Sequence, residues 1–350
     1  MGNRLRILVA DDSAVYRRIF SLAARQAAGD AEIMLAENGG QVLELLADRS
    51  VDICLLDVCM PVMDGLETLR HIREKYARMP VILVSGSSPD SVRLTLQALG
   101  LGAVDFISKP QGADFDHNLE SIRRHLEQLF AGVRPDTSTV AEKREPAPAV
   151  RPSKPWVPDV VLIAASTGGP AALDKVIPRL HGDLPQPVLV VQHMPSGFTA
   201  MLAQTLNSKS ALSVTEAREG DEAAPGHVLI APGGYHMTVR PGNRRPVIHL
   251  TRSEPVCGVR PSADVLFASA AEAYAGRKVL TVVLTGMGRD GTGGVARLKR
   301  SADCRCLIQS RETCVVFGMP GSVQEAGLCD EVRGIDAVAA RIEQLVQPGN

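Results

Sequence analysis

Residues 51–65 read VDICLLDVCMPVMDG, a short apolar run that ends on Asp57 and gives way to a loop bearing proline and glycine. Four runs of the same kind lie around it: LRILVA (5–10), EIMLA (32–36), PVILVS (80–85) and VDFIS (104–108). Helical stretches separate them, the last marked by Leu119, Ile122, Leu126 and Leu129 at three- and four-residue spacing. Such alternation predicts a parallel sheet covered on both faces, with ligands at the carboxyl ends of its strands.

Those ends carry chemistry. Asp11 and Asp12 follow the first run, Asp57 closes the third, Ser85 closes the fourth, and Lys109 follows the fifth. Three carboxylates on one edge repel one another and need a compensating cation. Magnesium takes oxygen ligands, keeps waters and bridges to phosphate, which suits a shallow site. A shielded Asp57 carboxylate is then a nucleophile for a phosphoryl donor, with Lys109 pairing to the phosphoryl oxygens and the Ser85 hydroxyl reporting the modified state. Asp12-Ser13 taken alone is an ordinary helix cap. Five polar residues at the ends of predicted strands are not explained that way.

Beyond this unit the chain changes character. Val133–Pro158 holds six prolines and no apolar periodicity, which predicts an extended linker. The total of 350 residues fits two domains at about 150 residues each. Lys plus Arg number 38 against 39 Asp plus Glu, and aromatics make up 3%, so a large nucleic-acid face or a base-stacking platform is not expected. Residues 1–131 carry 14 basic and 18 acidic side chains and the remainder 24 and 21, which predicts a weak, salt-screened attraction between the halves. No apolar run reaches the ~18 residues of a membrane span, and MGNRLRILVADDS lacks a signal-peptide plan. Seven cysteines without CxxC or Cys/His metal spacing predict reduced thiols in a cytosol, with Cys304 and Cys306 as core residues.

In the second half three apolar runs end in reactive residue types. VVLIAA leads into Ser166-Thr167-Gly168-Gly169, VLVVQ into His193, and VLTVVLTGMGR into Asp290. A hairpin-rich excursion, HVLIAPGGYHMTV-RPGNRR-PVIHLT, precedes the third run, and helices are expected over Ala171–Leu180, Gly197–Asn207, Ala263–Ala275 and Ile335–Val346. This trio suits acyl transfer, with Ser166 attacking, His193 shuttling the proton and Asp290 steering the imidazole. Gly168 and Gly169 would give substrate room, and the Thr167 N–H and the glycine-dense loop 286–291 would supply donors for the oxyanion. Singly, Ser166 can be a helix cap, His193 a hydrogen-bonded strand-end residue and Asp290 a turn former. STGGP also suggests a phosphate cradle but lacks G-x-G-x-x-G and the P-loop Gly-Lys. The remaining histidines (71, 117, 125, 181, 227, 236, 249) show no metal-ligand spacing, and the Arg240–Arg245 charges decorate a hairpin tip.

VADDS, LLDVCMPVMDG and FISKP resemble the response-regulator receiver domain over about residues 4–130. The resemblance implies phosphorylation of Asp57 and magnesium held by Asp11, Asp12, Asp57 and the carbonyl of Cys59. It also implies switch roles for Ser85, Phe106 and Lys109, and loop shaping by Pro61 and Gly65. Further on, ASTGGP, VVQHMPSGFT, EAREGD, VLIAPGGYHM, GVRPSADVLF, VLTGMGRDG and CVVFGMP resemble the chemotaxis-type protein-glutamate methylesterase, also a protein-glutamine glutaminase, over about residues 159–346. This implies Ser166 as nucleophile, His193 as base, Asp290 as its orienting acid, and oxyanion-hole amides from Thr167 and Met287.

Together the resemblances imply two doubly wound, mainly parallel-sheet α/β domains. A flavodoxin-like receiver (1–132) and a Pro-rich linker (133–158) precede a Rossmann-like serine hydrolase domain with an added β-hairpin region (159–350). The implied protein is cytoplasmic, takes phosphate from a chemotaxis histidine kinase, and acts on methylated chemoreceptor helices. Its receiver packs over the catalytic cleft until phosphorylated, and the catalytic domain needs no cofactor. No nucleic acid and no membrane insertion are implied. The alternative is a non-catalytic regulator whose second domain survives as a binding module. Two departures from the family pattern stand out: Ala164 replaces the usual glycine, and Gln309-Ser310-Arg311-Glu312 replaces a more acidic stretch.

Overall fold

The computed structural model describes residues 4–110, 112, 114–133 and 156–346. In the first unit β1 (Leu5–Ala10), α1 (Ala14–Ala28), β2 (Ala31–Ala36), α2 (Gly39–Asp48), β3 (Ile53–Asp57), α3 (Gly65–Lys75), β4 (Val81–Ser85), α4 (Pro89–Gly100), β5 (Asp105–Ser108) and α5 (Phe115–Val133) follow one another. The strands pair in parallel in the order β2-β1-β3-β4-β5. Ile7, Val9, Ile82 and Val84 face α1 and α5, while Leu8, Leu56 and Leu83 face the opposite helices. Burial on both faces explains why these strands read as apolar runs rather than as alternations. Asn38, Asp64 and Ser88 cap α2, α3 and α4 by accepting a backbone N–H, which fixes where each helix begins.

The second unit comprises β6 (Val160–Ala165), α6 (Gly169–Val176), β7 (Val188–Gln192), α7 (Phe198–Asn207), β8 (Ser213–Glu216), β9 (His227–Ile230), β10 (His236–Arg240), β11 (Val247–Thr251), α8 (Ala263–Ala273), β12 (Lys278–Val283), α9 (Thr292–Ser301), β13 (Asp303–Gln309), α10 (Met319–Glu325), β14 (Glu331–Arg333) and α11 (Ile335–Val346). Seven strands form one parallel sheet, β14-β13-β12-β6-β7-β9-β8, and β10 and β11 form the expected separate antiparallel hairpin. Cys304 and Cys306 are buried in β13, as read. The helix expected over 171–180 is split: α6 ends at Val176 and a 3-10 turn covers Ile177–Arg179, because Pro178 cannot continue the ladder.

Most of the expected linker lies outside the described residues. At its ends, Val133 still belongs to α5, and Trp156 is buried, donating from its indole nitrogen to Asp303 at 2.8 Å with Arg305 over its ring. The two units touch directly. Helix α4 packs on α6 and α7, and Phe106 of β5 stacks on Phe198 of α7 with ring centroids 4.4 Å apart. One continuous apolar cluster accordingly holds Leu96, Leu99 and Phe106 together with Leu173 and Phe198. Among the described residues no helix is long and apolar enough to cross a membrane.

Candidate active site

Strands β6, β7 and β12 are neighbours, so their carboxyl ends bring residues far apart in sequence to one rim. Ser166 leaves β6 with its N–H bonded to the Thr285 carbonyl at 3.0 Å, and His193 leaves β7 with its N–H bonded to Ala165 at 3.1 Å. Asp290 follows β12 in the loop before α9. His193 Nε2 lies 2.7 Å from Asp290 Oδ2, which leaves Nδ1 as the other ring nitrogen. Ser166, His193 and Asp290 line one cavity of about 580 Å³.

Asp290 is 2% exposed and well supported. Its Oδ1 accepts from the Ser262 hydroxyl at 2.7 Å and the Asp264 N–H at 2.9 Å, and its Oδ2 accepts from the Ala263 N–H at 2.6 Å. These donors form the N-terminus of α8, where a carboxylate is favoured. Burial pushes this carboxyl up, but the bonds from His193, Ser262 and Asp264 outweigh it and hold the group below the usual range. Among the described residues no acceptor engages the backbone N–H of Thr167 or Met287.

The glycines of STGGP serve a different purpose from the one expected. Gly168 has φ +74°, and a Cβ there would stand 2.6 Å from Val315 Cγ2. Gly169 gives way to the side chain of Gln192. The room is for the protein's own packing, because Thr285 ties this turn down through Oγ1 to the Thr167 carbonyl and the Val315 and Val316 amides. Ala164 lies within β6 and is not among the residues of positive φ, so its methyl is accommodated in the core.

In the first unit Asp11 and Asp57 are each 1% exposed while Asp12 is exposed. Lys109 Nζ lies 2.8 Å from Asp11 and 2.7 Å from Asp57, and Cys59 N–H reaches Asp57 at 3.3 Å. Oxygens of Asp11, Asp12 and Asp57 come within 4.8 Å of one another. Burial, aided by Asp11 and opposed by Lys109, pushes the Asp57 carboxyl up to about 6. One ammonium against three carboxylates leaves a deficit of positive charge, and the all-oxygen donor set fits a small hard cation. Ser85 is turned toward Thr95, from which it accepts at 2.6 Å. Phe106 is buried against Phe198.

The cavity that holds Ser166 is walled on its far side by the first unit, through Phe106, Lys109, Ile122 and His125. Asp105 faces Thr167 there. Burial pushes its carboxyl up, against the pull of His125 and the Thr167 hydroxyl. Gln192, Ser262, Thr285 and Phe198 were not singled out from sequence. Each lies inside a quoted motif block, but none has a spacing that distinguishes it.

Residues 161–342 match the family model of the CheB methylesterase, and residues 7–123 match that of the response regulator receiver domain. The chain belongs to the CheB methylesterase family. It is 40% identical over 345 residues to the protein-glutamate methylesterase/protein-glutamine glutaminase of Halalkalibacterium halodurans, covering 98% of both chains. With the Bacillus subtilis protein of the same name it shares 39% over 355 residues, covering 98% of this chain and 99% of that one. The crystal structure of the Thermotoga maritima CheB methylesterase catalytic domain is 43% identical, with a TM-score of 0.52, and covers 54% of this chain and 99% of that one. As a CheB family member with its own receiver, the chain is an enzyme of the methylesterase class.

Proposed function

We propose that this chain hydrolyses glutamyl γ-methyl esters, and deamidates particular glutamines, on chemoreceptor cytoplasmic helices through Ser166, His193 and Asp290. The observation that carries the reading is the 2.7 Å His193–Asp290 bond inside the cavity that also exposes Ser166. With Nε2 committed to Asp290, His193 Nδ1 takes the Ser166 proton as Oγ attacks the γ-carbonyl carbon. The developing oxyanion is received by the amides of Thr167 and Met287. His193 then returns the proton to the leaving methoxide, releasing methanol, or to the leaving amine, releasing ammonia. Water repeats the sequence on the acyl-serine and liberates the glutamate carboxylate.

Control is assigned to residues 1–132, joined by 133–158 to a catalytic domain of 159–350. Asp57 accepts the phosphoryl group from a chemotaxis histidine kinase. Asp11, Asp12, Asp57 and the Cys59 carbonyl would hold Mg2+, which when bound neutralises charge on the transferring phosphoryl. Lys109, now paired with Asp11 and Asp57, would turn to the phosphoryl oxygens. Ser85 would leave Thr95 and follow, and Phe106 would lose its seat on Phe198 and open the cavity. The same reading assigns the protein to the cytoplasm. The test is methanol release from a methylated receptor by wild type and Ser166→Ala, each with and without a phosphodonor. Turnover is expected from wild type only, and stimulated there. Turnover by a folded Ser166→Ala protein would overturn the reading.

A further inference from the structure

Between the two strand ends that carry Ser166 and His193 sits the side chain of Gln192, 1% exposed. Its Nε2 donates to the Ser166 carbonyl at 3.0 Å and to the His193 carbonyl at 3.2 Å. Both amide hydrogens are thereby spent on the backbone of the proposed nucleophile and of the proposed base. Among the described residues its Oε1 is buried with no partner. That oxygen rests against Gly169, where any Cβ would overlap it.

A buried acceptor without a partner costs free energy that a methionine or leucine of similar size would not. Packing alone therefore does not account for an amide here. The Ser166 carbonyl also accepts from the Gly169 N–H at 2.7 Å, so what accounts for the amide is the link it makes from that turn to the His193 carbonyl, which takes a group with two donors. The glycine at 169 follows as the space that group requires.

We infer that Gln192 is a positioning residue for the hydrolysis, an amide clamp that fixes the spacing between the Ser166 turn and the His193 loop. The inference rests on the proposed roles of Ser166 and His193. It touches neither substrate nor reacting atoms. Its effect is on the distance over which the proton passes, where a displacement near 1 Å lowers rate by about a hundredfold.

The test uses the full-length protein with Gln192→Met, Gln192→Glu and Ser166→Ala, each assayed for methanol release and for thermal unfolding. Gln192→Met removes both donors and the orphaned oxygen. The loss of the orphaned oxygen offsets the His193 carbonyl left without this donor, so the variant is expected to unfold close to the wild-type temperature while kcat falls about ten- to a hundredfold and KM stays within about twofold. Gln192→Glu aims a carboxylate at the two carbonyls. Its kcat relative to wild type at the same pH is expected to rise as the pH is lowered and the acid gains a donor hydrogen. A Gln192→Met protein with wild-type kcat, or one whose activity falls only in step with its stability while Gln192→Glu shows the wild-type pH profile, overturns the clamp. Activity in Ser166→Ala instead removes the reading beneath it, so the two failures are distinguishable.

Discussion

At Asp290 burial and charge are reconciled by four hydrogen bonds, and the carboxylate stays ionised so that it can hold His193 in one tautomer. Asp290→Asn keeps the shape but turns an amide toward donors, and is expected to lower kcat by on the order of a thousandfold or more. It should also cost about 1–3 kcal/mol of stability. Methanol release and thermal melts check both. Asp57 lies in the opposite direction, raised to about 6 by burial. Since a cation needs the ionised form, protonation competes with it as pH falls through that value, and apparent Mg2+ affinity at pH 5 is expected to be about tenfold weaker than at pH 7. Calorimetric titration at the two pH values measures this. Equal affinity would show that the three carboxylates do not share the ion. Asp11, Asp12 and Asp57 were legible because they close or follow a strand, and Asp290 because it follows the apolar run of β12. Gln192 and Ser262 were not, because a buried amide and a buried hydroxyl leave no periodic trace.

The elements were legible in proportion to their burial. Strands such as β3 and β6, covered on both faces, stand out as apolar runs, whereas β8 and β14 at the sheet edges mix polar and apolar residues and escaped notice. What no local pattern reveals is the seam between α4 and β5 on one side and α6 and α7 on the other. The Phe106–Phe198 stack lies in that seam. Such a pair contributes about 0.5–1.5 kcal/mol beyond its area. Phe198→Ala is therefore expected to loosen docking, raise methanol release without phosphodonor at least about twofold and shrink the stimulation that phosphodonor gives. Unchanged basal turnover with full stimulation would place the gate elsewhere. The opposite formal charges read for the two halves add only a long-range bias, because no salt bridge within the described residues joins them.

On the scale of the whole molecule, one cavity belongs to both domains: Ser166, His193 and Asp290 stand on one wall and the receiver's β5 and α5 on the other. Sequence motifs identified each wall, and only the assembled chain brings them face to face. A fragment of residues 156–346 retains Trp156 on its sheet and loses the receiver wall, so it is expected to release methanol faster than the unphosphorylated full chain. Comparing the two at equal concentration checks this. The proposal that Asp57 controls access to a nucleophilic Ser166 is most directly tested by the rate at which a fluorophosphonate labels the full chain, with the labelled peptide mapped. The label should fall on Ser166, with a rate that phosphodonor raises in wild type and leaves unchanged in Asp57→Ala. Labelling at another serine, or the same rate at Ser166 in wild type whether or not phosphodonor is present, would contradict it.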